Sequence, residues 1–105
     1  MSYGKLVRDK IIDIIRKNGE TPKYHTLSDE DYLEELHKKV FEEANEFIEE
    51  DGPEELADLL EVLYAIAKHK NINLEEVEQI RLTKREKRGG FEDRIYLETV
   101  ENKEM

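Results

Sequence analysis

The sequence predicts an all-α domain of four helices, and three observations carry that prediction. Apolar residues recur at the spacing of one helix face in four segments. Gly, Pro and Asn residues separate those segments. Of the 105 residues, 42% are charged and 37% hydrophobic, which is typical of helices with one apolar stripe each. A chain of this length forms one compact domain, so residues 1–105 are expected to be a single domain.

The first two helices are predicted from their spacing and their caps. "VRDKIIDIIRKNG" carries isoleucines at near-helical spacing, and Asn18-Gly19 ends that helix. "ETPKYHTL" is too short for more than a loop or one small strand. Ser28 is a typical N-cap with three acids behind it, so the second helix is expected over about 28–50.

The third helix is predicted over about 54–70, because Asp51-Gly52-Pro53 breaks the chain and Pro53 suits a first helical turn. The short break predicts that helices two and three form an antiparallel hairpin. "LADLLEVLYAIA" is apolar over most of its circumference and is interrupted chiefly by Asp58 and Glu61. We therefore expect a central helix that is covered on more than one face.

The fourth helix is expected from Leu74 to about Arg88, with Asn73 as its N-cap and Gly89-Gly90 at its end. "FEDRIYLETV" then alternates weakly between apolar and polar residues. That pattern predicts either a strand or a short extended C-terminal segment.

The overall charge limits the classes of partner. A formal charge of −10 argues against a general binder of nucleic acid polymers or of anionic membranes.

The sequence contains no Cys, which excludes disulfides and thiolate metal sites. The N-terminus lacks the apolar core of a signal peptide, and no apolar run approaches membrane-spanning length. We therefore expect a cytoplasmic protein without a membrane partner.

Four carboxylates on the predicted hairpin have positions that converge. At about 100° per residue, Glu43 and Glu46 are turned in one sense from the apolar stripe of their helix, and Glu55 and Asp58 are turned in the same sense from theirs. In an antiparallel hairpin this places both pairs on one side of the seam, at matching heights. Convergent carboxylates repel one another, and a hard divalent cation such as Mg²⁺ or Mn²⁺, which prefers oxygen ligands, removes the conflict.

A solvated acidic face is the alternative, because Asp and Glu account for 27 of the 105 residues. Asp58 favours the metal site, since it lies within the most apolar helix of the chain.

Basic residues cluster near both ends of the chain, and they can hold a polyphosphate beside a metal. The alternative for the first cluster is solubilising surface charge, and the alternative for the second is that its cations complement the dipole of a helix C-terminus. The two clusters comprise Lys5, Arg8 and Lys10, and then Arg81, Lys84, Arg85, Lys87, Arg88 and Arg94.

The segments "EEANEF" and "EELADLLEVL" together resemble the EExxE…ExxD signature of the MazG-type nucleotide pyrophosphohydrolases, an all-α family that includes phosphoribosyl-ATP pyrophosphohydrolase. Three flanking segments are similar to a phosphoribosyl-ATP pyrophosphohydrolase-like subgroup, and the likeness covers Lys5 to about Glu98. These segments are "KLVRDKI", "LSDEDYLEELHKKVFEE" and "KREKRGGFEDRIYLE".

The resemblance implies a Mg²⁺-dependent enzyme that hydrolyses a nucleoside triphosphate to monophosphate and pyrophosphate, working as a homodimer or homotetramer. A non-catalytic nucleotide- or protein-binding module on the same fold is the alternative, and a purely structural acidic oligomer is a third. The implied metal ligands are Glu43, Glu46, Glu55 and Asp58. The implied catalytic carboxylates are Glu42 and Glu43, although Glu42 lies nearly opposite the apolar stripe. The expected phosphate contacts are Lys5, Arg8, Lys10, Lys39, Lys84, Lys87, Arg88 and Arg94.

Overall fold

The computed structural model describes residues 4–102. Its helices are α1 (Ile11–Lys17), α2 (Asp29–Glu50), α3 (Pro53–His69) and α4 (Leu74–Arg88). Residues 4–102 contain no strand, so the all-α class with four helices is confirmed. Two compact units divide the chain: the first ends at Ile72 and holds α1 to α3, and the second begins at Asn73 and holds α4.

Side-chain caps start α2 and α4 where the sequence predicts them. The backbone N–H of Asp31 donates to Ser28 Oγ over 3.2 Å, and the backbone N–H of Glu76 donates to Asn73 Oδ1 over 3.1 Å. Each bond satisfies one of the N–H groups that a helix N-terminus leaves without a partner inside the helix. Pro53 is the first residue of α3, where its missing N–H costs nothing. The predicted starts of these three helices are confirmed to within one residue.

The two ends of the chain differ in part from the prediction. The apolar spacing begins at Val7, but α1 begins only at Ile11. Residues 9–10 form a turn, in which the N–H of Ile11 donates to the carbonyl of Arg8 over 3.1 Å. The C-terminal segment from residue 94 to residue 102 has no regular secondary structure. A strand there would need a neighbouring strand to pair with, and residues 4–102 contain none. The strand alternative is therefore wrong for this segment, and the short non-helical segment is what forms.

The core of the first unit lies where α2 packs against α3. Leu36 of α2 is 3% exposed and Ala67 of α3 is 7% exposed. Asp51 and Gly52 alone join the two helices. Asp51 is in the left-handed region, with φ 56°, and its N–H donates to the carbonyl of Phe47 over 2.7 Å, which ends α2 in an αL cap. The antiparallel direction of the hairpin stays a prediction.

One side of α3 is left open within the first unit. Leu56, Leu60, Leu63 and Tyr64 are all exposed although they belong to the most apolar helix. Within residues 4–72, α3 therefore leaves one apolar face exposed, and the expected cover of α3 on more than one face stays a prediction. This face is exposed because α2 is the helix that packs extensively against α3, and one helix covers only one face of another. No helix within residues 4–102 is long and apolar enough to cross a membrane.

Candidate functional site

The centre of the candidate site is Glu43, on the side of α2 that packs toward α3. Its side chain is 13% exposed, and Oε2 is buried with no hydrogen-bond partner. The other oxygen, Oε1, lies 4.0 Å from Nζ of Lys39, one turn earlier on α2. A buried carboxylate oxygen without a donor is costly. Glu43 is thus the residue of this region whose bonding is incomplete.

The charges around Glu43 identify its neighbours. Burial raises the pKa of the Glu43 carboxyl above its usual range, and the negative charge of Glu46 raises it further. The Lys39 ammonium lowers this pKa, whereas the charge of Asp58 raises it. The negative charges of Glu46 and Asp58 therefore both act on Glu43. We call these three residues the acidic seam.

Asp58 reaches the acidic seam from α3 and carries a partner that the sequence did not indicate. Arg8 Nη2 donates to Asp58 Oδ1 over 2.8 Å, and the two side chains are 59% and 46% exposed. Arg8 precedes α1, so this bond ties the N-terminal segment to α3 across fifty positions of sequence. We expected Arg8 to contact phosphate, and the sequence held no spacing signal for this pairing.

Glu55 is the predicted ligand that the structure does not bring to Glu43. The charges that shift the pKa of Glu43 do not include Glu55. Its carboxylate instead folds over Gly52, where Oε1 fills the space that a Cβ at position 52 would take. Glu55 is in the first turn of α3, where a negative charge is favoured by the helix dipole. That local role explains its position without a metal.

Glu42 lies at the edge of the site. Its side chain is 42% exposed, and its Oε1 lies 3.7 Å from Lys39 Nζ. Lys39, itself only 17% exposed, therefore contacts both predicted catalytic carboxylates, Glu42 and Glu43. This agrees with the prediction that Lys39 lies one turn before Glu43 on the same side of α2.

A metal site needs more than the proximity of these acids. Residues 4–102 contain no group of three or more Asp, Glu or His side chains arranged to hold a metal ion. The acidic seam has the right donors, since carboxylate oxygens suit Mg²⁺, and Glu43 Oε2 lacks a partner. The residues present therefore fit a divalent cation chemically. Arg8 already binds Oδ1 of Asp58, so a cation would bind Asp58 through Oδ2 or compete with Arg8 for Oδ1.

The remaining predicted phosphate contacts lie in two other places. Lys5 and Lys10 are exposed on the N-terminal segment beside Arg8. Within the second unit, Lys84, Lys87 and Arg88 line an open groove along α4. Arg88 belongs to the last turn of α4, where a cation is favoured by the dipole. Arg94 lies beyond the helix with φ 59°.

Comparisons with known proteins give one partial match. No family model matches the chain, and no solved structure matches it. The chain is 48% identical over 42 residues to an uncharacterized protein of Mycolicibacterium smegmatis (strain ATCC 700084 / mc(2)155). The match covers 40% of this chain and 43% of that relative, so the chain spans less than half the length of the relative.

Proposed function

We propose that the chain is a Mg²⁺-dependent nucleotide pyrophosphohydrolase of the MazG type, which converts a nucleoside triphosphate or related nucleotide and water to a monophosphate and pyrophosphate. The observation that carries the proposal is the state of Glu43. Its side chain is 13% exposed, one of its oxygens is buried without a donor, and two further carboxylates repel it. A cation bound there would satisfy the oxygen and remove the repulsion.

The cations beside the acidic seam support a phosphate substrate. Lys39 and Arg8 each lie against carboxylates of this region, so positive donors and metal-type ligands occur together. Nucleotide polyphosphates need both, because non-bridging oxygens bind metal ions and Lys or Arg groups alike. A purely solvated acidic face does not require a carboxylate as buried as Glu43.

Each side chain would have a distinct part in the reaction. Glu43, Glu46 and Asp58 would hold the cation, and Glu55 would join them only after its carboxylate turned away from Gly52. When bound, the cation would offset phosphate charge and lower the pKa of a bound water. Lys39 and Arg8 would bind the phosphate chain, and their charge would stabilise the leaving pyrophosphate. A carboxylate that is not fully used in coordination, Glu43 or Glu42, would accept the proton of the attacking water.

The decisive assay measures pyrophosphate release from a panel of nucleoside triphosphates and phosphoribosyl nucleotides, with Mg²⁺, with Mn²⁺ and with chelator. We expect metal-dependent release that falls at least a hundredfold in Asp58→Asn and Glu43→Gln. The matched control is Glu61→Gln, which removes the same charge from an exposed position of α3 and should retain activity. Inactivity of the folded protein across the whole panel would refute the proposal.

A non-catalytic nucleotide-binding module is the second candidate, and the bond between Arg8 and Asp58 favours it, because it occupies a proposed ligand. The two candidates separate in one experiment. A binder would show a Mg²⁺-dependent rise in melting temperature with nucleotide, lost in Asp58→Asn, while releasing no pyrophosphate. An enzyme would show both effects.

A further inference from the structure

The side chain of Arg8 is bound to the acidic seam and is exposed enough to leave it. Nη2 donates to Asp58 Oδ1 over 2.8 Å, although the two side chains are 59% and 46% exposed. The other ion pairs described within residues 4–72 join neighbours inside α2, whereas this pair links two separate elements. Exposed ion pairs contribute little to stability, so the Arg8 guanidinium can exchange one anionic partner for another at small cost.

A cation that arrives alone at the acidic seam would be opposed by Arg8. Asp58 has two carboxylate oxygens, and Arg8 binds Oδ1. A cation on Oδ2 would be repelled by the guanidinium on the same carboxylate, and a cation on Oδ1 would have to displace it. In either arrangement, the bond between Arg8 and Asp58 weakens the binding of a free cation.

A phosphate chain would reverse the effect of Arg8. Non-bridging phosphate oxygens accept paired hydrogen bonds from a guanidinium, and they also bind hard cations. Arg8 could therefore turn from Asp58 to the phosphate chain, which would leave the Asp58 carboxylate to the cation. Lys39 is less suited to this exchange, because it is only 17% exposed and lies beside Glu42 and Glu43 of its own helix.

We infer that Arg8 makes the acidic seam selective for a complex of a divalent cation with a phosphate chain over the free cation. Arg8 is a specificity-determining residue: bound to Asp58 it opposes the free cation, and bound to phosphate it favours the complex. Since coupling between two ligands is reciprocal, the phosphate chain raises the affinity for the cation by the factor by which the cation raises the affinity for the phosphate chain. The inference rests on the cation site of the proposed function and does not require catalysis.

The test is isothermal titration calorimetry of the full chain with Mn²⁺ alone and with the preformed complex of Mn²⁺ and methylenediphosphonate, a phosphate-chain analogue that is not hydrolysed. Wild type should bind the complex at least about tenfold more tightly than Mn²⁺ alone. In Arg8→Gln, the dissociation constant for Mn²⁺ alone should fall by about twofold to fivefold, and that for the complex should rise by at least about fivefold. A merely structural role of Arg8 would move both constants in the same direction.

The matched control is Arg16→Gln, which removes the same charge from the last turn of α1. The Arg16 guanidinium lies 5.9 Å from the ring centroid of Tyr24, so it has a different partner. Both dissociation constants should change by less than about twofold in this variant. Arg8→Lys retains the charge without the planar fork and should keep part of the preference for the complex. Equal changes in Arg8→Gln and Arg16→Gln would indicate a general effect of charge and overturn the inference.

The possible outcomes separate this inference from the proposed function. If wild type binds Mn²⁺ and releases pyrophosphate, but Arg8→Gln keeps the full preference for the complex, the inference is overturned and the proposed enzyme stands. The same holds if both dissociation constants of Arg8→Gln move in one direction. If wild type binds neither Mn²⁺ nor the complex, the cation site is refuted and the inference with it.

A second measurement follows Arg8 itself, in proton–nitrogen correlation spectra with Mg²⁺ in place of paramagnetic Mn²⁺. The Nε–H signal of Arg8 is identified by its loss in Arg8→Gln. Asp58→Asn should shift this signal in the ligand-free protein, because the charged acceptor of the guanidinium is lost. The Mg²⁺ complex of methylenediphosphonate should shift the wild-type signal to a third position. A signal that Asp58→Asn shifts and the complex leaves in place would show that Arg8 stays on Asp58, which contradicts the exchange.

Discussion

Arg8 Nη2 lies 2.8 Å from Asp58 Oδ1, so the N-terminal segment is bound to the acidic residue that interrupts the most apolar helix. The bond has two consequences. It compensates one of the three repelling carboxylates of the acidic seam, and it occupies an oxygen that a cation would use. Glu43 receives no such compensation at Oε2. Arg8 therefore offsets the charge of Asp58, and Lys39 lies near Oε1 of Glu43. Oε2 of Glu43, at the centre of the acidic seam, has no partner.

Replacing Arg8 separates these two consequences. In Arg8→Gln, the free energy of unfolding should fall by no more than about 0.5 kcal/mol, because both partners are about half exposed and such pairs contribute little. The affinity for Mn²⁺, measured by electron paramagnetic resonance of the nucleotide-free protein, should rise about twofold to fivefold, since the competing guanidinium is gone.

The control for Arg8 is Arg81→Gln, which removes another ion pair of similar exposure, that with Glu78 of α4. It should lower stability by a similar amount and leave Mn²⁺ affinity unchanged. If Arg8→Gln weakens Mn²⁺ binding, Arg8 does not compete with a cation for Asp58.

The contrast between Ser28 and Arg8 shows how much could be predicted from sequence. The caps at Ser28 and Asn73 were found because the side chain and the N–H it accepts from are three residues apart, so the information is local. The faces of α2 also follow from its period, which correctly placed Lys39 beside Glu43. The pair Arg8–Asp58 depends on how a segment without periodicity crosses another helix, and no local pattern encodes that. Glu55 shows the converse: periodicity predicted that it faces the seam, but its carboxylate lies over Gly52 at the start of α3.

Glu43 should make the stability of the protein depend on pH in a defined direction. Its pKa in the folded state is raised above the ordinary value of 4.5, so the folded state binds this proton more tightly than the unfolded state. Stability from this group is therefore present below about pH 4.5 and is lost as the pH rises through the folded pKa. Glu43→Gln removes the charge, and at pH 7 we expect it to raise the free energy of unfolding by up to about 1 kcal/mol.

Urea denaturation at pH 3.5 and pH 7 checks this expectation, because the gain from Glu43→Gln should vanish at the lower pH. Glu42→Gln is the control, since it removes the same charge from a more exposed carboxylate of the same turn. Its effect should stay within about 0.5 kcal/mol at either pH. Destabilisation by Glu43→Gln at pH 7 would mean that the carboxylate has a partner in solution.

The same protonation should oppose cation binding. Ligand carboxylates must be deprotonated to bind a metal, so the Mg²⁺-induced rise in melting temperature should increase as the pH rises through the raised pKa of Glu43. At a hundred times the dissociation constant, Mg²⁺ should stabilise the protein by about 2.7 kcal/mol. Differential scanning fluorimetry from pH 4.5 to pH 8 measures the trend, with Asp58→Asn as the variant that should show no shift. A shift independent of pH would place the cation away from Glu43.

The cap at Ser28 should contribute measurably to the stability of α2. Ser28→Ala removes the acceptor for the N–H of Asp31 and should lower the free energy of unfolding by about 1 kcal/mol. Ser28→Asp retains an acceptor at the N-cap, so it should restore most of this loss. Both variants can be compared by urea denaturation at one protein concentration. Equal losses in the two variants would show that the bond contributes nothing.

The turn between α2 and α3 stores strain that one substitution should release. Asp51 has φ 56°, a conformation that Gly adopts at little cost and that residues with a Cβ adopt at about 1 kcal/mol or more. Asp51 also places a negative charge at the C-terminus of α2, where the dipole disfavours it. Asp51→Gly relieves both effects, whereas Asp51→Ala relieves only the second. We expect Asp51→Gly to be more stable than Asp51→Ala by about 1 kcal/mol, measured by urea denaturation. Equal stabilities would show that the turn changes its conformation when Asp51 is replaced, and that the left-handed geometry is not required to connect the two helices.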